Sequence, residues 1–152
     1  MLVYRIGRTK FADDITGEGA RLHGGRWNHK LVPCIYTSES RALALLEYTA
    51  NVNIDDIPRA LSVSIFEIAE SLVLELPAHL LPGDWRFSPT PSSTKEFGSS
   101  LLSSGRHLII KIPSVIIMEE YNYLVNPKYA DRSHFKLLEI KDLIYDVRLK
   151  LK

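Results

Sequence analysis

The hydrophobic positions of this chain fall into short runs separated by turn residues, most with strand-like spacing. Leu2 to Ile6 is a brief apolar run containing a β-branched residue, and Pro33 to Thr37 is another, closed by the polar Ser38-Glu39-Ser40. Ala60 to Phe66 alternates, with Leu61, Val63 and Ile65 on one face and Ser62 and Ser64 on the other, the period of a strand. Leu72 to Leu76 and His107 to Ile112 are apolar runs stopped by Pro77 and Pro113. Phe135 to Ile140 and Leu143 to Leu151 are expected as two strands around a Lys-Asp turn. Two segments have helical spacing. Ser38 to Asn51 opens with a serine cap and an early Glu39, and Ala42, Leu43, Leu46 and Ala50 form its expected buried stripe. Thr94 to Ser104 is a second helix with Gly98 inside it, fed by the Ser- and Pro-rich stretch from Ser88. The elements do not alternate as βαβ units, which predicts an α+β fold with a mixed, largely antiparallel sheet and a few helices.

Composition narrows the class. The chain has 152 residues, 45% hydrophobic and 24% charged, which is enough for one domain spanning 1–152 with its own core. The formal net charge of +1 provides no global field for a polyanion, so direct nucleic-acid binding is not expected. The single Cys34 excludes an internal disulfide and any multi-cysteine zinc site, and suits a reducing cytoplasm. It sits in an apolar run and reads as a buried, inert thiol. The five histidines lack ligand spacing, so no metal is expected. No apolar run approaches membrane-spanning length and the N-terminus lacks a signal-peptide pattern, so a cytoplasmic protein is expected.

Candidate chemistry concentrates between Gly17 and Asn28, where four of the eight glycines lie. Glycine admits positive φ and close backbone approach to a ligand. Arg26, directly after Gly24-Gly25, can offer a planar fork of donors to a phosphate. A solvated surface loop is the competing reading. Glu47 falls at the edge of the apolar stripe on the first helix, where a pocket wall would lie; a solvated boundary glutamate is the commoner case. Tyr36 ends a strand beside the start of that helix and can face either core or cleft. The dinucleotide fingerprint, the P-loop and the Gly-x-Ser-x-Gly elbow are all absent.

Taken in order, these segments resemble the RES domain family, named for its Arg, Glu and Ser. The resemblance is carried by Gly17-x-Gly19-Ala20, Gly24-Gly25-Arg26-Trp27-Asn28, Tyr36-Thr37-Ser38-Glu39-Ser40 and Ala44-Leu45-Leu46-Glu47. Leu80-Leu81-Pro82-Gly83-Asp84-Trp85, Ile112-Pro113-Ser114 and Glu120-x-Asn122-Tyr123-Leu124-Val125-Asn126-Pro127 continue it. One departure is Lys128-Tyr129 after Asn126-Pro127, where the family commonly has x-His; His134 comes slightly later.

The resemblance implies a fold similar to ADP-ribosyltransferase toxins and a role as the toxin of a bacterial toxin–antitoxin pair acting on NAD+ as substrate. It implies Arg26, Tyr36, Glu47 and Ser114 as catalytic residues, with Gly24, Gly25, Arg26 and Tyr36 on the NAD+ side. In that scheme Arg26 serves the diphosphate or ribose hydroxyls and Tyr36 packs on the nicotinamide. Glu47 accepts from a ribose hydroxyl and faces the developing cation, while Ser114 touches the ribose or fixes Glu47. The implied partner is an Xre-type helix-turn-helix antitoxin, with a homodimer inside the complex. Three functions fit these residues. They are NAD+ glycohydrolase or phosphorylase, protein ADP-ribosyltransferase with the same pocket, and a non-enzymatic binding module.

Overall fold

The computed structural model describes residues 1–150. Its strands are β1 (Leu2–Arg8), β2 (Ile35–Ser38), β3 (Leu61–Ile68), β4 (Val73–Glu75), β5 (Ile109–Pro113), β6 (Tyr121–Val125) and β7 (Phe135–Leu143). The α-helices are α1 (Glu18–His23), α2 (Arg41–Asn51) and α3 (Ser92–Ser103). All seven strands join one sheet in the order β4-β5-β6-β2-β1-β3-β7, antiparallel except for the β4–β5 pair. The α+β expectation with a mixed, mainly antiparallel sheet is met.

Register decides which residues share a face. Ile110, Leu124 and Tyr36 lie side by side across β5, β6 and β2, as do Ile112, Asn122 and Ser38. Side chains opposite one another in a ladder point to the same side, and alternate residues to opposite sides. Ile110, Ile112 and Leu124 therefore build one core layer with Trp27, Cys34, Leu81, Trp85 and Leu102. Ile35, Ile109 and Val125 build the layer on the other side with Val3, Ile68, Phe66 and Phe135, whose rings stack at 4.9 Å. α2 lies over β1 and β2, and α3 contributes Leu102 to the Trp27 layer.

Four expectations need correction. The two strands foreseen around Lys141-Asp142 are one, because β3 offers partners without a break: Val63 opposes Lys141 and Ser62 opposes Asp142. Residues 147–149 form a 3-10 turn whose start is capped by Asp146, accepting from the Arg148 N–H, and Leu151 lies outside the described residues. β6 was not foreseen as a strand, although Tyr121, Tyr123 and Val125 alternate with Asn122 and Leu124. α2 begins at Arg41, its cap being Ser40, which accepts from the Leu43 N–H at 3.0 Å; Glu39 stays outside the first turn. The buried stripe of α2 is also rotated. Leu43 and Ala44 are buried, while Ala42, Leu46 and Ala50 are exposed. The rotation turns Glu47 toward the sheet, where donors await it.

α3 explains its own glycine. A Cβ built on Gly98 would stand 2.0 Å from the Trp27 carbonyl oxygen and 2.7 Å from its carbon. The helix therefore rests directly on the backbone of the Gly-rich segment, and His29 N–H donates to Ser99 Oγ at 2.8 Å beside it. Gly98→Ala should lower stability by about 2 kcal/mol, overpacking outweighing the better helix propensity of alanine. Urea unfolding checks this, and a stabilised variant would contradict the contact.

Candidate active site

The Gly-rich segment is a knot tied by one asparagine and one tyrosine. Gly17, at φ 72°, starts α1 and receives no Cβ because the Cys34 backbone lies 2.7 Å from where one would sit. α1 ends at Gly24 (φ 71°), and the chain then turns tightly, with Gly25 N–H donating to Asn28 O at 3.0 Å. Arg26 and Trp27 form the tip of this turn. Asn28 is fully buried, and its amide donates to the carbonyls of Ala20, His29 and Val32 at 2.8 to 3.2 Å. Its Oδ1 accepts from the Tyr36 hydroxyl at 2.6 Å, and that hydroxyl accepts from Trp27 N–H at 3.0 Å. The space a side chain would need at Gly25 is filled by the Tyr36 hydroxyl, 2.6 Å from an ideal Cβ. The Gly24-Gly25 pair thus serves the turn itself, the first by its backbone angle and the second by its missing side chain.

Arg26 reaches from this tip to the loop before α3. Its Nη1 donates to Trp85 O at 3.0 Å and Phe87 O at 2.9 Å. Burial pulls the guanidinium below its ordinary pKa, and the negative charge of Glu47 pushes it back up. Arg26 remains a cation. Its Nε and Nη2 hydrogens have no partner among the described residues.

Glu47 comes down from α2 onto the same sheet face as Tyr36. Its Oε1 accepts from Ser114 Oγ at 2.9 Å and from Asn122 Nδ2 at 2.6 Å. Ser114 is fully buried just past the end of β5. Its oxygen already accepts from the N–H groups of Ile116 and Ile117 at 3.0 and 3.2 Å, so its one proton goes to Glu47. Asn122 in turn accepts at Oδ1 from Ser38 Oγ at 2.6 Å. Among the described residues Glu47 Oε2 takes no hydrogen bond.

The four expected site residues form two hydrogen-bonded groups, Tyr36 bracing the Arg26 turn and Ser114 holding Glu47, and the charge of Glu47 is felt at Arg26. Asn28 belongs to the first group and Ser38 and Asn122 to the second, and none of the three is singled out by the sequence. Asn28 and Asn122 stood inside quoted motifs, and only the register shows that Ser38 faces Asn122. Hollows lined by Ser71–Leu74 with Arg106–Leu108, and by Ile68 with Lys136, lie elsewhere on the surface. No group of three His, Cys, Asp or Glu among the described residues can hold a metal ion. No helix among them is long and apolar enough to cross a membrane.

A half-buried carboxylate held by hydroxyl and amide donors, and an arginine turn braced by a tyrosine, are the polar features of an α+β fold that other proteins share. The RES domain model matches residues 2–146, and the chain belongs to that family. It is 34% identical to the "Prs ADP-ribosylating toxin" of Sphingobium sp. (strain YBL2), over 93% of this chain and 90% of that one. It is 32% identical to a "Toxin Res" of Yersinia enterocolitica, over 99% and 100% of the two chains. In fold it is similar to a chain in the crystal structure of the M. tuberculosis MbcT–MbcA toxin–antitoxin complex. That match has a TM-score of 0.76 at 21% identity and covers 93% of this chain and 83% of that one.

Two groups of the fold carry a stability signature. Burial pushes the Cys34 thiol far above its ordinary range, and the Tyr36 phenol likewise. In the unfolded chain they ionise near about 8.5 and 10. The folded state then holds protons the unfolded state has lost, so stability is complete below pH 8 and falls as pH rises. The expected loss is about 1.4 kcal/mol per pH unit for each group once its unfolded pKa is passed. Urea unfolding from pH 8 to 11 measures it. Cys34→Ala should flatten the curve between about pH 8.5 and 10, and an unchanged slope there would contradict the burial of the thiol.

Proposed function

We propose that the chain is the toxin of a toxin–antitoxin pair and cleaves NAD+ at the nicotinamide–ribose bond. The observation that supports this most is the state of Glu47, whose one carboxylate oxygen is tied to the protein while the other is left free to accept. Breaking the glycosidic bond sends its electron pair out with neutral nicotinamide and leaves positive charge on the ribose carbon. No strong acid is needed for such a leaving group. A fixed carboxylate lowers the energy of that cation, and Oε2 can take a ribose hydroxyl as it forms. The acceptor oxygen then bonds to the same carbon and loses its proton.

Arg26 suits the diphosphate. Two of its N–H groups hold the loop carbonyls, and three remain as a fork toward an anion. Tyr36 contributes its ring alone, since its hydroxyl is spent on Trp27 and Asn28. That suits packing against a planar nicotinamide. Ser114 acts through Glu47. With water or phosphate as acceptor the products are ADP-ribose or its 1-phosphate. Transfer to a protein side chain is a second reading, and the name of the Sphingobium relative favours it. The MbcT–MbcA neighbour supports an antitoxin as partner, and the family resemblance supports the Xre type and a homodimer within the complex. A cytoplasmic site of action follows from an NAD+ substrate.

Glu47→Gln is a clean test, because the new carbonyl can keep both donors while an amide replaces Oε2. NAD+ consumption by antitoxin-free protein should fall by about 10²- to 10³-fold in this variant. Products are identified by mass with phosphate present and absent, and with cell extract as a source of protein acceptors. Full activity in Glu47→Gln removes Glu47 from the chemistry. Arg26→Lys should weaken NAD+ binding, because an ammonium has no fork; unchanged affinity would remove Arg26 from the diphosphate. No NAD+ loss under any condition would sink the enzyme reading.

A further inference from the structure

We infer that Asn122, held by Ser38, is a positioning residue for Glu47 and sets which carboxylate oxygen meets the substrate. The inference rests on the NAD+ reading above and goes beyond it by adding two residues that no motif role covers.

Three observations carry it. First, Asn122 sits at the middle of the ladder, opposite Ser38 of β2 on one side and Ile112 of β5 on the other. Ser114 lies two residues beyond Ile112 and shares its face. Ser38, Asn122 and Ser114 thus form a row of polar groups beneath α2 on a sheet face otherwise packed with Ile110, Ile112 and Leu124. Second, the direction of every hydrogen bond in the row is forced. The amide nitrogen of Asn122 must face Glu47, since its oxygen at 2.6 Å from a carboxylate would be repelled. Its oxygen therefore faces Ser38, which donates at 2.6 Å. The chain runs Ser38 to Asn122 to Glu47 without a choice of tautomer or flip. Third, both donors end on the same oxygen. Ser114 alone would leave the carboxylate plane free to swing about its last torsion, which is soft for a glutamate. A second donor arriving from another strand fixes that plane and hence the place of Oε2. The short distance fits a bond strengthened by the acceptor's charge.

Asn122 touches no reacting atom in this scheme. Its effect reaches the substrate only through Glu47, and that of Ser38 only through Asn122. The chemistry therefore separates the amide as a donor from the amide as a space-filler.

The test compares the wild type with Asn122→Asp, Asn122→Ala, Ser38→Ala and the Ser38→Ala/Asn122→Ala pair, each assayed for NAD+ turnover and thermal unfolding. Asn122→Asp keeps shape and volume, removes the donor and sets a repelling oxygen in its place against Glu47. It should lose at least about tenfold in kcat while KM for NAD+ stays within about twofold, the split expected when an interaction matters only in the transition state. Ser38→Ala should cost several-fold in kcat alone and nothing further in the Asn122→Ala background, the non-additivity of residues acting in series. Near wild-type kcat in Asn122→Asp, or a full additive loss in the double variant, overturns the positioning role. A fall in activity that merely follows the melting temperature across the set overturns it as well. Wild-type protein that neither consumes NAD+ nor labels a protein overturns the functional reading, and this inference falls with it.

Discussion

A glutamate pressed onto a β-sheet is the constraint from which the rest of the molecule can be read. Partial burial of a carboxylate is costly unless donors replace the water it loses. Here β5 and β6 supply them, through Ser114 and Asn122, before the chain gains anything chemical from the arrangement. The need explains the rotation of α2. A helix choosing its face by apolar content would bury Ala42, Leu46 and Ala50 with Leu43; this one keeps Leu43 inside, exposes the other three and turns Ala44 and Glu47 inward. It also explains why Ser38, at the close of β2, does not cap the helix that follows. Its hydroxyl is committed to Asn122, and the cap falls to Ser40.

The Gly-rich segment solves a different problem, how to hold an arginine in place on a short loop. Loops are poor platforms for precise geometry unless their backbone groups are satisfied from within. Asn28 satisfies three carbonyls with its amide, and Tyr36 joins that asparagine to the strand. Glycine at position 25 is required because the tyrosine hydroxyl occupies the volume of its Cβ, and glycine at 98 because α3 leans on Trp27. The core layer around Trp27 stays continuous through the knot, since Trp27 packs with Trp85 and Phe97 at 6.1 and 6.3 Å.

The sequence was most informative where a single period governs a segment. Alternation found β3, and apolar runs bounded by proline found β5 and approximated β4. It failed where partners decide. The Lys141-Asp142 pair looks like a turn until β3 is seen to continue alongside it. β6 contains tyrosines and an asparagine that alternate but carry no strong hydrophobic contrast. The α2 stripe was misread because a wheel weighs apolarity and cannot see donors on another strand. For the site, residue chemistry points to Arg26, Tyr36 and Glu47 only as one of two readings each, and the family resemblance adds Ser114. The bonds that tie Ser38 and Asn122 to Glu47 depend on register, which is a property of strand pairing and not of any motif.

These side chains show how a small protein keeps polar groups both rigid and available. Each functional side chain divides its hydrogen-bonding capacity. Glu47 gives Oε1 to the fold and keeps Oε2; Arg26 gives Nη1 to two loop carbonyls and keeps Nε and Nη2; Tyr36 gives its hydroxyl and keeps its ring. A group wholly satisfied by the protein could not act on a ligand, and one wholly free would have to be ordered by the ligand at an entropic cost. Dividing the valences avoids both. It also means that substitutions here strike stability and chemistry through different atoms of one residue, so isosteric changes such as Glu to Gln or Asn to Asp are more informative than truncation to alanine. Truncation removes the structural half along with the chemical one and leaves buried donors unpaired.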